Sequence, residues 1–262
     1  MRCARDQKSV KPCCLNSELP LSGPGKFSMS DHLNNDNMNA KRIAAEKAVE
    51  LIEDNMIVGL GSGTTASYAI QKIGKRVAKG LKIMTVASSV KSASLARESG
   101  VPVCDPSEVE SIHMTIDGAD EVDTEGNLIK GGGGSLLREK ILAFASERFY
   151  VVVDDSKLVT QLGKSALPVE VIPFAFNLTI NHLKELGCDP VVRTSNGKNF
   201  ITDNGNLIVD CSFGQIEEPA WLDVKIKMIP GVVETGLFSH KVLTSLFISS
   251  ADGKVKEVAL SL

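Results

Sequence analysis

Lys130 stands directly before four consecutive glycines, Gly131, Gly132, Gly133 and Gly134, and Arg138, Glu139 and Lys140 follow within ten residues. A glycine run is often a loose linker. Here a strand-like NLIK precedes it and the helical pattern SLLREK follows, so both flanks are ordered. Four backbone N–H groups backed by a helix N-terminus form a nest for an anion. That is what a reaction needs when an oxyanion appears in its course. Ser135 is placed to cap the helix. Glu139 lies near the first helical turn and is placed to act as a proton-transfer base; taken alone, a carboxylate there serves equally to complement the helix dipole.

Two other stretches carry chemistry of their own. GLGSGTTA, residues 59–66, sits where a strand runs into a helix. Its glycines allow a tight turn with exposed N–H groups, and Ser62, Gly63, Thr64 and Thr65 would meet a phosphate at the helix N-terminus. Residues 61–66 also fit the dinucleotide fingerprint, which demands an acidic residue at the end of the next strand. That strand ends TVASS, without one. No Gly-Lys-Ser/Thr follows, which excludes a Walker loop. The third stretch is IDGADEVD, with Asp117, Asp120, Glu121 and Asp123 crowded after a strand. Such a turn is commonly just a solvated acidic turn. Clustered carboxylates also serve acid–base chemistry, because repulsion and burial raise a pKa, or they bind a divalent cation. Together the three stretches put a phosphate cradle, carboxylates, a lysine and an oxyanion nest on one sheet edge, which is far more specific than any one of them.

The elements that position these groups alternate. Helical spacing over 39–55 is followed by a short apolar strand at 56–63, a helix at 65–78, a strand at 81–89 and a helix at 90–99 stopped by Gly100. VPVC (101–104) and SIHMTID (111–117) read as strands, then come a helix over 135–146 and the strand FYVVVDD (149–155). This alternation predicts an α/β fold, Rossmann-like, with a mostly parallel sheet flanked by helices. After about residue 163 the pattern changes. Residues 196–213 read as a hairpin turning at Asp203-Asn204-Gly205-Asn206. The expected organisation is a catalytic domain of residues 39–163 plus 237–262, with a smaller α+β domain, 164–236, inserted into it.

Composition bounds the rest. The chain has 262 residues, 43% of them hydrophobic, enough for a substantial core. A formal charge of -3 suggests neither nucleic-acid binding nor a membrane-surface role. No apolar run approaches the roughly 20 residues of a membrane span. The six cysteines form no CxxC pair and read as reduced intracellular thiols. The four histidines are far apart, which argues against a zinc site. Residues 1–38, rich in Asn, Ser, Asp and Pro, read as a disordered tail or a targeting segment. The expected compartment is the cytoplasm, or a plastid if that tail is a transit peptide.

The order GLGSGTTA, DGADEVD, NLIKGGGGSLLREK, VVVDDSKLV, LGKSALPVEVIPF, NFITDNGNLIVD and IPGVVETGLF resembles the type A ribose-5-phosphate isomerases from about residue 39 to residue 238. The resemblance implies an aldose–ketose isomerase of the pentose phosphate pathway, without metal or cofactor, acting on a pentose 5-phosphate and assembled as a homodimer or homotetramer. It implies that Glu139 moves a proton between C1 and C2 through an enediolate and that Asp117 assists ring opening. Asp120 and Lys130 would orient the sugar oxygens, and Ser62, Gly63, Thr64, Thr65, Lys157 and Lys41 would bind the sugar phosphate. Two rival readings exist. A non-catalytic sugar-phosphate sensor would have no need of Glu139, Asp117 and Lys130 together. A nicotinamide-dependent oxidoreductase lacks its acidic residue.

Overall fold

A computed structural model describes residues 29–250 and 252–259. The tail at 1–28 and any targeting role for it lie outside the described residues. In chain order the elements are α1 (Met29–Val49), β1 (Ile57–Leu60), α2 (Gly63–Val77), β2 (Met84–Ala87), α3 (Val90–Glu98), β3 (Met114–Asp117), β4 (Glu121–Val122), β5 (Leu128–Ile129), α4 (Leu136–Ala145) and β6 (Phe149–Asp154). Then follow β7 (Leu167–Val171), α5 (Phe176–Glu185), β8 (Asp189–Val192), β9 (Thr194–Ser195), β10 (Lys198–Asn199), β11 (Leu207–Ser212), α6 (Pro219–Lys227), β12 (Val232–Thr235), β13 (Leu237–Phe238), β14 (Ser245–Ser249) and β15 (Val255–Ala259).

The main sheet has six strands in the order β15-β14-β6-β3-β1-β2, all parallel except β15. Strand β6 shows why the sheet is covered on both faces. Side chains alternate across a strand, and here every residue from Phe149 to Asp154 is buried. Tyr150 and Val152 enter one core with Ala44, Ala48 and Ile70 of α1 and α2. Phe149, Val151 and Val153 enter another with Ala143 of α4 and Phe238. Each of the valines, Ile70 and the phenylalanines among them contributes roughly 1.5–3 kcal/mol by leaving water. From β1 the chain passes through α2 to β2 on one side, then through α3 to β3 on the other. The carboxyl ends of β1 and β3 therefore diverge, and such a switch point in an open α/β sheet leaves a crevice for ligand.

Residues 167–235 build a four-stranded antiparallel sheet, β12-β7-β11-β8, flanked by α5 and α6. Its core holds Leu167, Val169, Val171, Leu183, Val209 and Ile226. A three-stranded sheet, β13-β5-β4, ties the chain leaving this unit to the strand that leads into Lys130.

Several expectations are corrected. The first helix begins at Met29 and takes in residues 29–38, which composition placed in the tail. Extending an existing helix adds one hydrogen bond per residue fixed, so polar residues can be carried along once a nucleus has formed. The helix stops at Val49, and Asn55 adopts a left-handed φ of 66° before β1. VPVC makes only the single bridge Thr85–Val103. The hairpin over 196–213 reduces to the bridge Ile201–Leu207, because both edges of β11 are already taken by β7 and β8. Ser135 occupies the N-cap position of α4 but its side chain makes no capping bond.

Candidate active site

The crevice at the carboxyl ends of β1, β3 and β6 opens into a cavity of about 220 Å³. Its wall includes Lys41, Ser62, Gly63, Thr64, Thr65, Asp120, Lys130, Gly131, Gly132, Gly133, Glu139 and Lys157. Three consecutive sheet neighbours, β1, β3 and β6, deliver Ser62–Thr65, Asp120 and Lys157, while Lys41 comes from α1, Lys130 and the glycine loop follow β5, and Glu139 lies on α4.

At one end, β1 runs into Gly61 and α2 begins at Gly63. An added Cβ on Gly61 would lie 2.0 Å from Asp117 Oδ1, so only glycine lets the loop pack against β3. The Ser62 N–H donates to that same Oδ1 at 3.1 Å, which ties the loop to the acidic strand. The N-terminus of α2 then faces the cavity with Thr64 and Thr65 beside it. Lys157 follows β6 on the same side. Lys41 reaches across from α1 and pairs with Asp154 Oδ2 at 3.2 Å. Asp154 is buried, which by itself would raise its pKa, but Ser156 and Lys41 hold it below the usual carboxylate range. Three lysines against two carboxylates line the cavity, a balance suited to an anionic ligand.

At the other end Lys130 is 2% exposed and its ammonium is shared among three acceptors. It lies 2.9 Å from Asp117 Oδ2 and 3.2 Å from Glu139 Oε2, and it donates to the Gly118 carbonyl. Burial alone would discourage its charge. Asp117 and Glu139 more than reverse that, so its pKa lies above the ordinary lysine value. The Lys130 N–H donates to the Gly236 carbonyl at 2.9 Å, fixing the backbone where the small unit returns. Glu139 is 4% exposed. Burial pushes its pKa up to about 7, with Asp117 adding to the effect and Lys130 opposing it. A carboxyl poised near neutrality is what a general base at physiological pH requires. Gly131, with φ of 104°, turns the chain into the glycine loop, and the Gly132 N–H donates to Asp120 Oδ2 at 2.7 Å.

Two residues from the expected set stand apart from the cavity wall. Asp117 is 1% exposed and lies behind Lys130 rather than on the wall. Gly134 faces Phe200 and belongs to a neighbouring cavity of about 160 Å³. The rest of the acidic turn is structural: Glu121 accepts from the N–H groups of Gly163 and Ser165, and Asp123 accepts from those of Glu125 and Asn127. Asp154, Gly118 and Ala119 also belong to the site, and no local motif singles them out. The rule that ligands meet the carboxyl ends of parallel strands points to Asp154, the last residue of β6. Among the described residues no group of His, Cys, Asp and Glu has a metal-binding arrangement, and no helix is long and apolar enough to cross a membrane.

Fold and site together define an α/β protein that sets a helix N-terminus and two lysines at one end of a crevice and a neutral-range carboxyl, a buried ammonium and the glycine loop at the other. This is the equipment of an enzyme that moves a proton beside a carbonyl. The chain belongs to the ribose 5-phosphate isomerase A (phosphoriboisomerase A) family, whose model matches residues 84–253. It is 48% identical over 205 residues to ribose-5-phosphate isomerase A 1 of Oceanobacillus iheyensis, covering 78% of this chain and 92% of the relative. Ribose 5-phosphate isomerase A from Methanocaldococcus jannaschii superposes with a TM-score of 0.81 at 38% identity, covering 86% of this chain and 100% of that one. A D-ribose-5-phosphate isomerase in complex with phospho-erythronic acid superposes with a TM-score of 0.81 at 37% identity, covering 84% and 98%.

Proposed function

We propose that the protein interconverts D-ribose 5-phosphate and D-ribulose 5-phosphate, with Glu139 as the base that carries the proton between C2 and C1. The observation that carries this reading is a buried carboxyl with a pKa near 7, paired with Lys130 at 3.2 Å, in a cavity that ends in a phosphate cradle. The phosphate sits on the N-terminus of α2 with Ser62, Gly63, Thr64 and Thr65, and Lys41 and Lys157 balance its charge. That anchors the sugar so that its carbonyl end meets Glu139. Glu139 takes the proton from the carbon beside the carbonyl, and the charge that grows on the carbonyl oxygen is met by Lys130 and by the glycine loop, whose Gly132 and Gly134 amides are already bound to Asp120 and to the Gly131 carbonyl. Returning the proton to the neighbouring carbon, while the hydroxyl proton passes from O2 to O1 of the enediolate, completes the isomerisation without net oxidation. Asp120 holds the loop through Gly132 and borders the sugar oxygens. Asp117 takes part in ring opening through Lys130, the group it touches, because its own carboxylate does not reach the cavity wall. A sensor that only bound sugar phosphate would gain nothing from the Asp117–Lys130–Glu139 contacts.

The same reading keeps 164–236 as an inserted domain, supported by its own sheet and core. It also keeps a homodimer or homotetramer in the cytoplasm; exposed Ile141 and Phe144 on α4, Trp221 on α6 and Met228 just after it supply apolar surface for self-association. A coupled assay of ribose 5-phosphate conversion in EDTA tests the function: steady turnover supports it, and tight binding without turnover would favour the sensor. Thr65→Val should raise KM for the sugar phosphate several-fold, through loss of one hydroxyl donor worth about 0.5–1.5 kcal/mol, and leave kcat within a factor of about two. An unchanged KM would count against the cradle.

A further inference from the structure

Arg193, on the small unit just after β8, reaches into the glycine loop. Its Nη1 donates to the carbonyl oxygens of Gly131 and Gly132 at 2.9 and 3.0 Å. The guanidinium is held in turn by Asp210 of β11, with Nε donating to Oδ2 at 2.9 Å and Nη2 donating to Oδ1. Its side chain is only 16% exposed and lies over the Phe200 ring, 6.0 Å from the centroid. A bidentate Arg–carboxylate pair fixes the plane as well as the position of the guanidinium.

The consequence follows from peptide geometry. In a trans peptide the C=O and N–H of one unit point in opposite directions. The Gly131 carbonyl shares its peptide with the Gly132 N–H, and the Gly132 carbonyl shares its peptide with the Gly133 N–H. One guanidinium nitrogen draws both carbonyls to the same side, so both N–H groups are turned to the other. The Gly132 N–H is there already bound, to Asp120 on the cavity wall. The Gly133 N–H has no partner among the described residues, and Gly133 lines the cavity.

We propose that Arg193, locked by Asp210, is a positioning residue that sets the glycine loop so that the Gly133 amide is aimed at the oxygen on which enediolate charge develops. The inference rests on the isomerase reading and adds to it a donor and the device that orients it. It also gives the inserted unit a part in catalysis, since Arg193 and Asp210 both come from it.

The test uses Arg193→Met and Arg193→Lys in the full chain, with wild type and Glu139→Gln assayed alongside. Arg193→Met should lower kcat about ten- to a hundredfold, as expected when an oxyanion donor is misplaced rather than deleted. KM should stay within about twofold, since binding is not the affected step. Affinity for phospho-erythronic acid should fall by a factor close to that in kcat/KM, while inhibition by inorganic phosphate, which reports only the cradle, stays unchanged. Arg193→Lys, which can still reach a carbonyl, should recover part of kcat. Wild-type kcat in Arg193→Met would overturn the proposal. So would an equal loss of phosphate, phospho-erythronic acid and substrate binding together with a lowered Tm, which is what mere structural support predicts. Should Arg193→Met not fold, Arg193→Lys decides by the same ratio of phospho-erythronic acid to phosphate affinity. Failure of wild type itself to isomerise ribose 5-phosphate would instead sink the functional reading.

Discussion

Glu139→Gln leaves the fold intact and lowers kcat by roughly 10²–10⁴-fold, the range that a positioned general base contributes. The amide keeps the size of the side chain and accepts from Lys130 through its oxygen, so packing survives, but it has no carboxylate to take a proton. The wild-type pH profile carries the same information. Glu139 acts as a base only when ionised, and its pKa is pushed up to about 7 by burial. The kcat/KM of wild type should therefore rise with pH through about 7 and level off above it, and the residual activity of Glu139→Gln should lack that limb. The effect on stability has the opposite sense. A carboxyl whose folded pKa lies above its unfolded value binds more protons in the native state, so its contribution is full below the unfolded value and is lost as pH rises through about 7. Near-normal turnover in Glu139→Gln, measured beside an unchanged Tm, would remove Glu139 from the mechanism.

Lys130→Met should fail in a different way, losing stability as well as rate. Lys130 is 2% exposed between two buried carboxylates. Removing one partner from a buried ion pair costs about 3–5 kcal/mol, because the charges left behind have no compensation. Part of that cost is avoided as Glu139 shifts toward its neutral form, which takes the base out of its working state. Chemical denaturation at pH 8 should therefore show the loss in full, and at pH 5 a smaller one. Activity should fall at least 10²-fold, because the developing oxyanion loses its fixed charge. A variant as stable as wild type at pH 8 would mean that Lys130 is not the electrostatic keystone its three acceptors indicate.

Glu139 and Lys130 were legible in the sequence because glycine fixes where a backbone must pass close to something, and the KGGGG–REK spacing put a charge on each side of such a place. The alternation of helix and strand gave the parallel sheet for a similar reason: β6 is apolar throughout because both its faces are covered. What was not legible depended on contacts between distant segments. Asp117 and Asp120 stand three residues apart in one acidic turn, yet one faces Lys130 from behind and the other borders the cavity. Strand direction decides that, and composition does not. NFIT reads as a hairpin arm, but β11 already has two neighbours and Thr202 instead donates its hydroxyl to the buried Glu170. The Arg193 grip on Gly131 and Gly132 spans 61 or 62 positions, and no local pattern announces it.

Isomerisation by this chain depends on the Glu139 carboxylate reaching the two carbons between which the proton moves. A crystal structure of wild type with phospho-erythronic acid bound tests it most directly. The phosphate is expected on Ser62–Thr65, the carboxylate end of the acid on Lys130 and the Gly133 amide, and Glu139 within about 3–3.5 Å of the carboxyl carbon, which stands at C2, and of the carboxylate oxygen that stands at C1. The same ligand with its phosphate in the cradle and Glu139 turned away, out of reach of that carboxyl group, would contradict it.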